Sequence, residues 1–371
     1  MKTRNKLTSI ILGSLVLIAV GCAKNEEDKV IQSDLPETFR IDVPSAISQT
    51  STQKNVSTEV FSGNEAYRHL NNFIYVGDAS AEIVEDIIKA IRIYGLSKPM
   101  SFSFMSDADR QTKNVVVLDN SSYESSIWQH QLTITDAASE SNADGGIGLQ
   151  VFWNTNPTMG IALLRPHYWD KSDTSNLDST LFRIDYSEAG DSIYDATMVV
   201  SIYKWDLNLN DRFHMDNMKM FVGKAGDRID VFGNSNHPDA WLFLQEPKGF
   251  NWAFVASGSA SKNIGVAEVG LPLSNLDESR REVLLGTYSL QNVFTSQIRE
   301  YYYQTYKVYP DAAAVANYLT NTEAPGFFNS SGFVQGGTAP TNEYDALVSN
   351  IQGLVPYNPY YISNLTLEFK Q

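Results

Sequence analysis

Between residues 62 and 99 the apolar positions recur three and four apart. Leu70, Phe73, Ile74, Ala81, Val84, Ile88 and Ile91 draw one stripe along an α-helix, broadened near its end by Ile83, Ile87 and Tyr94. Ser62 and Glu65 have the spacing of a capping box, in which a hydroxyl and a carboxylate satisfy N–H groups that a helix start leaves open. Gly95 supplies the left-handed residue that closes a helix, and Pro99 forbids continuation. The acids Glu65, Glu82, Glu85 and Asp86 precede Lys89 and Arg92, the order the helix dipole favours, and Glu85 is assigned to the outer face. Gly77-Asp78 is the point at which such a helix would split.

From 101 to about 273 the period changes to two. Phe102 and Phe104 alternate with serines, and Trp128, His130, Leu132 and Ile134 alternate with polar residues. Strands are expected at 115–118, 149–153, 161–164, 181–186, 198–203, 218–222, 229–232, 241–244, 252–255 and 264–269, separated by loops rich in Asn, Asp, Ser, Gly and Pro. Short strands at this spacing, with no helical pattern between them, predict an antiparallel meander. A sheet that wide must curl, close or split.

The expected fold class is therefore α+β, mostly antiparallel β. A long N-terminal helix packs against a large curved meander sheet or half-barrel, with a two-sheet sandwich as the second arrangement. The sheet occupies 101–273 and a helical C-terminal part 274–371. Helices are expected over 293–308, from Pro310 onward, and over 344–354, with a Gly-rich loop at 325–341. Residues 361–369 read as a terminal strand fit to pair with a sheet edge, and Ile41, Val43 and Ile47 as a short edge strand around Pro44.

The chain has 371 residues and a formal net charge of −15, which argues against nucleic acid or anionic headgroups as partners of its general surface. Charge is distributed unevenly at the start. Lys2, Arg4 and Lys6 precede an apolar run, 7–20, too short to span a bilayer comfortably. Ala19-Val20-Gly21-Cys22 follows, and Cys22 is the one cysteine in the chain, so neither a disulfide nor a thiol nucleophile is available to the body. This leader resembles that of bacterial lipoproteins, with Ala19 where leucine is commoner. The resemblance implies a signal peptide over 1–21, acylation of Cys22, and a lipid anchor in the outer membrane of a Gram-negative bacterium. The acidic cluster Glu26-Glu27-Asp28 is similar to the surface-export signal of Bacteroidetes lipoproteins. Residues 22–61 then read as a flexible tether, and 62–371 as a single domain.

Catalytic signatures are missing from the sequence. The five histidines stand in separate segments, and there is no nucleophile elbow, phosphate loop or dinucleotide fingerprint. No cofactor is called for. Asp206, Asn208 and Asn210 have the alternation that opens a calcium loop, although Asp211 replaces the turn glycine. Asp185, Glu188 and Asp191 are the carboxylates to inspect for a hydrolytic pair. Aromatic residues are the remaining signal: Tyr301, Tyr302, Tyr303, Tyr306 and Tyr309 in one cluster, Tyr357, Tyr360 and Tyr361 in another, and tryptophans such as Trp153 spread over the strands.

The function expected from these features is a non-enzymatic binding lipoprotein of the envelope. Half-barrels with a helix in the concavity, such as the periplasmic carriers of lipoproteins and lipids, enclose apolar or amphiphilic ligands. The ligand-binding candidates are Tyr301, Tyr302, Tyr306 and Trp153. Glycan binding through the tyrosines, a carboxylate-pair hydrolase and a structural surface protein without a pocket are the alternatives.

Overall fold

The computed structural model describes residues 35–48, 61–92, 96, 98–173, 178–205, 214–244 and 249–370. Cys22, the leader, and Asp206, Asn208 and Asn210 lie outside the described residues. In chain order the elements are α1 (Ser45–Ser48), β1 (Phe61–Ser62), α2 (Gly63–Arg92), β2 (Met100–Met105), β3 (Thr112–Tyr123), β4 (Ser126–Asp136), β5 (Ile147–Thr155), β6 (Thr158–Leu164), α3 (Pro166–Trp169), β7 (Leu181–Ser187), β8 (Ala196–Tyr203), β9 (Met218–Ala225), β10 (Arg228–His237), β11 (Phe250–Ser259) and β12 (Ile264–Gly270). A π-helical turn at Glu282–Thr287 leads to α4 (Leu290–Tyr306), α5 (Ala312–Tyr318), β13 (Leu319–Thr320), β14 (Gly326–Asn329), β15 (Gly332–Gly336), α6 (Asp345–Ile351) and α7 (Pro359–Ser363).

Thirteen strands, all but β1 and β13, form one antiparallel sheet in chain order, and that order is open, ending on β2 and on β15. The expected meander is present and is not closed into a barrel. Helix α2 runs unbroken through Gly77-Asp78 for 30 residues, about 45 Å. By internal contacts the chain divides into two compact units, and the division falls inside α2. One is Met1–Arg40, Ala79–Ala189 and Leu367–Gln371, and the other Ile41–Asp78 and Gly190–Thr366.

In the first unit β2–β7 carry Val115, Val117, Leu132, Ile134, Val151 and Ile184 as buried alternate positions. A second cluster of Trp128, Phe152, Ile161 and Leu163 packs with Phe369. Residues 365–370 are not the expected strand. They lie against the sheet by side-chain bonds: the Lys370 N–H donates to Gln150 Oε1 (2.8 Å), Gln150 Nε2 to the Lys370 carbonyl (3.1 Å), and Tyr123 OH to the Glu368 carbonyl (3.0 Å). The glutamine amide substitutes for a neighbouring backbone, which a sequence pattern of period two does not distinguish from strand pairing.

The second unit buries β11 and β12 on both faces. Val255, Ile264 and Val266 pack on one side with Leu284, Leu285, Leu347 and Ile351. On the other, Phe73 of α2 meets Trp252 (5.6 Å between ring centroids), and Ile47 of α1 lies against Gly258 and Gly265. Gly77 lets α2 approach β9, since a Cβ there would stand 2.5 Å from the Met220 methyl.

Three further expectations give way. Residues 35–48, placed in the tether, are packed: Leu35, Phe39, Ala46 and Ile47 are buried, and 45–48 is a helical turn, not an edge strand. Residues 241–244 are not a strand, and the Gly-rich 325–341 is not a plain loop but holds β14 and β15. Gly326 stands beneath the Tyr67 ring, where no side chain fits, so the glycine there marks close packing.

Candidate functional site

Helix α4 is held by its first three turns and exposed over its last two. The Ser289 hydroxyl accepts from the Asn292 N–H (3.4 Å) at its start. Leu290, Phe294 and Ile298, four apart, are buried, and Phe243 meets Phe294 edge-on at 5.8 Å. No residue from Tyr301 to Tyr309 is buried. The helix ends at Lys307, in the left-handed region (φ 59°), whose N–H donates to the Tyr303 carbonyl (2.8 Å). Asp311 then caps α5, its carboxylate accepting from the Ala313 N–H (2.9 Å). The short parallel pair of β1 and β13 follows α5.

Six tyrosines on α4, α5 and the segment between them are exposed: Tyr301, Tyr302, Tyr303, Tyr306, Tyr309 and Tyr318. They are arranged as pairs. Tyr302 and Tyr306, one turn apart, have centroids 4.5 Å apart, and Tyr303 and Tyr309 are stacked at 4.6 Å and 14°. Cations edge the rings: Lys307 Nζ lies 5.9 Å from Tyr303, and the Arg299 guanidinium 5.5 Å from Tyr309. Beside them opens a cleft of about 570 Å³, walled by Asn292, Gln297, Arg299, Glu300, Tyr309 and Leu244. Gln297 Oε1 accepts from the Leu244 N–H (3.3 Å), which fixes that wall. The cleft combines the exposed Tyr309 ring, amides, hydroxyls, one guanidinium and the Glu300 carboxylate. Such a surface stacks on and hydrogen-bonds to a polar ring compound.

Of the residues singled out in the sequence, Tyr301, Tyr302 and Tyr306 belong to this surface. Trp153 does not. It is completely buried and stacks on His130 at 5.0 Å, which withdraws it as a binding platform. In the second tyrosine cluster, Tyr360 and Tyr361 are exposed while Tyr357 packs on Phe232 at 5.4 Å. Arg299, Gln297 and the cleft itself carry no signal in the sequence, because nothing in local spacing places 241–244 against α4.

The carboxylates singled out are engaged in structure. Asp185 is bound by Arg183, which also holds Glu124. Glu188 accepts from Tyr186 OH (2.8 Å). Asp191 accepts from the Ile193 and Tyr194 N–H groups, and these backbone bonds hold its carboxyl below the usual range. Among the described residues no group of three His, Cys, Asp or Glu side chains is placed to hold a metal ion.

A separate cluster in the first unit buries the side chains of Lys113, Asp109 and Asp136, with Lys171 half-buried beside them. Lys113 Nζ donates to Asp109 Oδ2 (2.8 Å), Asp136 Oδ1 (3.0 Å) and the Tyr168 carbonyl (2.8 Å), and Lys171 Nζ donates to Asp136 Oδ2 (2.6 Å). Burial works against ionisation of both aspartates. The lysine hydrogen bonds overcome it and lower both carboxyls below their ordinary range. All three ammonium donors of Lys113 are used, so the cluster is a structural clasp. No family model, curated protein or solved structure matches the chain.

Proposed function

We propose that the protein is a lipid-anchored, non-enzymatic binding protein of the outer envelope, and that its ligand is a glycan taken up by the α4 tyrosines and the adjoining cleft. The observation that carries this reading is the six exposed tyrosines between residues 301 and 318, four of them in ring pairs. An exposed phenol presents a flat apolar face with a polar tip, which suits the C–H face and hydroxyl rim of a sugar. An apolar ligand held between helix and sheet draws less support. Leu70, Ile74, Ala81, Val84 and Ile88 of the α2 stripe have no exposed surface. The anchor part of the proposal rests on Cys22 and the leader before it.

Fluorescence titration of the soluble Cys22→Ser protein with oligosaccharides tests the glycan reading. Quenching that saturates, and that is lost in the Tyr302→Ala/Tyr306→Ala variant with its thermal unfolding unchanged, is the expected result. Saturable quenching that survives both substitutions would move the site elsewhere. Organic extraction that yields a stoichiometric lipid, with no response to sugars, would return the assignment to an apolar ligand.

A further inference from the structure

Several of the described arginines are committed to ion pairs. Arg40, Arg92, Arg165, Arg183, Arg228 and Arg281 each stand against a carboxylate. Arg299 has no carboxylate within ion-pair distance among the described residues. Its guanidinium lies instead over the Tyr309 ring, on the wall of the cleft. The one acid sharing that wall, Glu300, accepts from Gln304 Nε2 (3.2 Å), its helical neighbour four residues on. The rest of the wall is neutral, with Asn292 and Gln297 as amides. In a chain of formal charge −15, an exposed arginine beside an aromatic ring, with no carboxylate partner among the described residues, is placed to pair with an anion. A guanidinium presents a planar donor fork that matches a planar or tetrahedral oxyanion.

We infer that the glycan bound here is acidic, bearing a carboxylate or sulfate group that pairs with Arg299 while a neighbouring sugar ring lies on the tyrosines. This deepens the proposed function and rests on it. The tyrosine pairs supply contact area without regard to charge, and Arg299 supplies the selection.

The test titrates three probes: an oligogalacturonate, a sulfated galactan oligosaccharide and a neutral galactan oligosaccharide of matched length. Each is run against the Cys22→Ser protein and its Arg299→Gln, Arg299→Lys and Tyr302→Ala/Tyr306→Ala derivatives. Arg299 and these tyrosines are exposed, and unchanged thermal unfolding establishes that each variant folds. The expected result is that at least one acidic probe binds about tenfold more tightly than the neutral one, that salt narrows the gap, and that Arg299→Gln abolishes it. Arg299→Lys retains part of the preference, and the tyrosine variant loses all three probes. Which acidic probe is preferred separates a uronate from a sulfate ester. Equal binding of neutral and acidic probes, lost in the tyrosine variant and indifferent to Arg299→Gln, overturns the inference and leaves the glycan reading standing. Binding of none of the three overturns both. Equally tight displacement of the acidic probe by inorganic sulfate alone would reduce the site to one for a free anion and overturn the glycan assignment.

Discussion

Glu85 shows how far a single position departs from its place in a helical pattern. By spacing it belongs to the outer face of α2, yet it is buried, with Oε1 accepting from the Phe39 N–H (2.9 Å) and Oε2 from Lys89 (2.7 Å). What buries it is the chain around Phe39 and Arg40, whose guanidinium stands 3.6 Å away. Glu85→Ala leaves that buried N–H without its acceptor and removes one of the carboxylates facing Arg40, and chemical denaturation should register a loss of about 1–3 kcal/mol. The Lys113 clasp sets a second expectation. Asp109 and Asp136 have lowered folded pKa values, so their contribution to stability is complete above the ordinary carboxylate range and is lost as pH falls through the folded values. Urea midpoints of the wild type should therefore fall more steeply below about pH 4 than those of a Lys113→Met/Asp109→Asn/Asp136→Asn variant. Parallel profiles would deny the clasp that role.

Helix α2 was legible because its stripe is long, and the opening signal at Ser62 agrees with its start at Gly63, while the closing signal at Gly95 lies outside the described residues. Val84, at the centre of the stripe, is fully buried. Val84→Asp places a charge there with no partner and should cost several kcal/mol, read as a lowered thermal midpoint. Strands such as β3, β4 and β7 were legible because alternation marks an element that buries one face, while β11 and β12, buried on both faces, read as short apolar runs between turn residues. The C-terminal segment was not legible. Leu367 and Phe369 alternate as a strand would, but residues 365–370 are held by the side chains of Gln150, Ser121 and Gln131 and by packing on Trp128 and Phe152. Removing residues 367–371 should therefore destabilise the first unit, with protection lost in β4–β6 by hydrogen exchange. Protection equal to that of the full chain would mean the tail only rests on the surface.

For the protein as a whole, the lipid anchor is the property with the strongest sequence argument. Cys22→Ser should convert a detergent-requiring membrane protein into a soluble one, since each buried acyl CH₂ contributes about 0.8 kcal/mol. Wild type that fractionates as soluble without detergent would remove the anchor. No helix among the described residues is long and apolar enough to cross a membrane, so any helical retention there has to come from outside them.

Periodicity and local chemistry were sufficient for whatever depends on neighbours along the chain. The helix with its start, the meander order of successive strands and the tyrosines at 301–309 all follow from spacing within a few residues. The expected leader was drawn from composition in the same local way and lies outside the described residues. Tertiary structure decided what depends on distant partners. It made Trp153 core, while leaving Tyr302 and Tyr306 in solvent. It turned the supposed tether at 35–48 into packed chain and carried the C-terminal tail onto a sheet face instead of an edge. It also brought Leu244 against α4 to make a cleft and left Arg299 there with no ion pair among the described residues. The physical reason is common to all of these. Burial and ion pairing are set by which surfaces meet across long stretches of sequence, and a residue's own spacing holds no record of them.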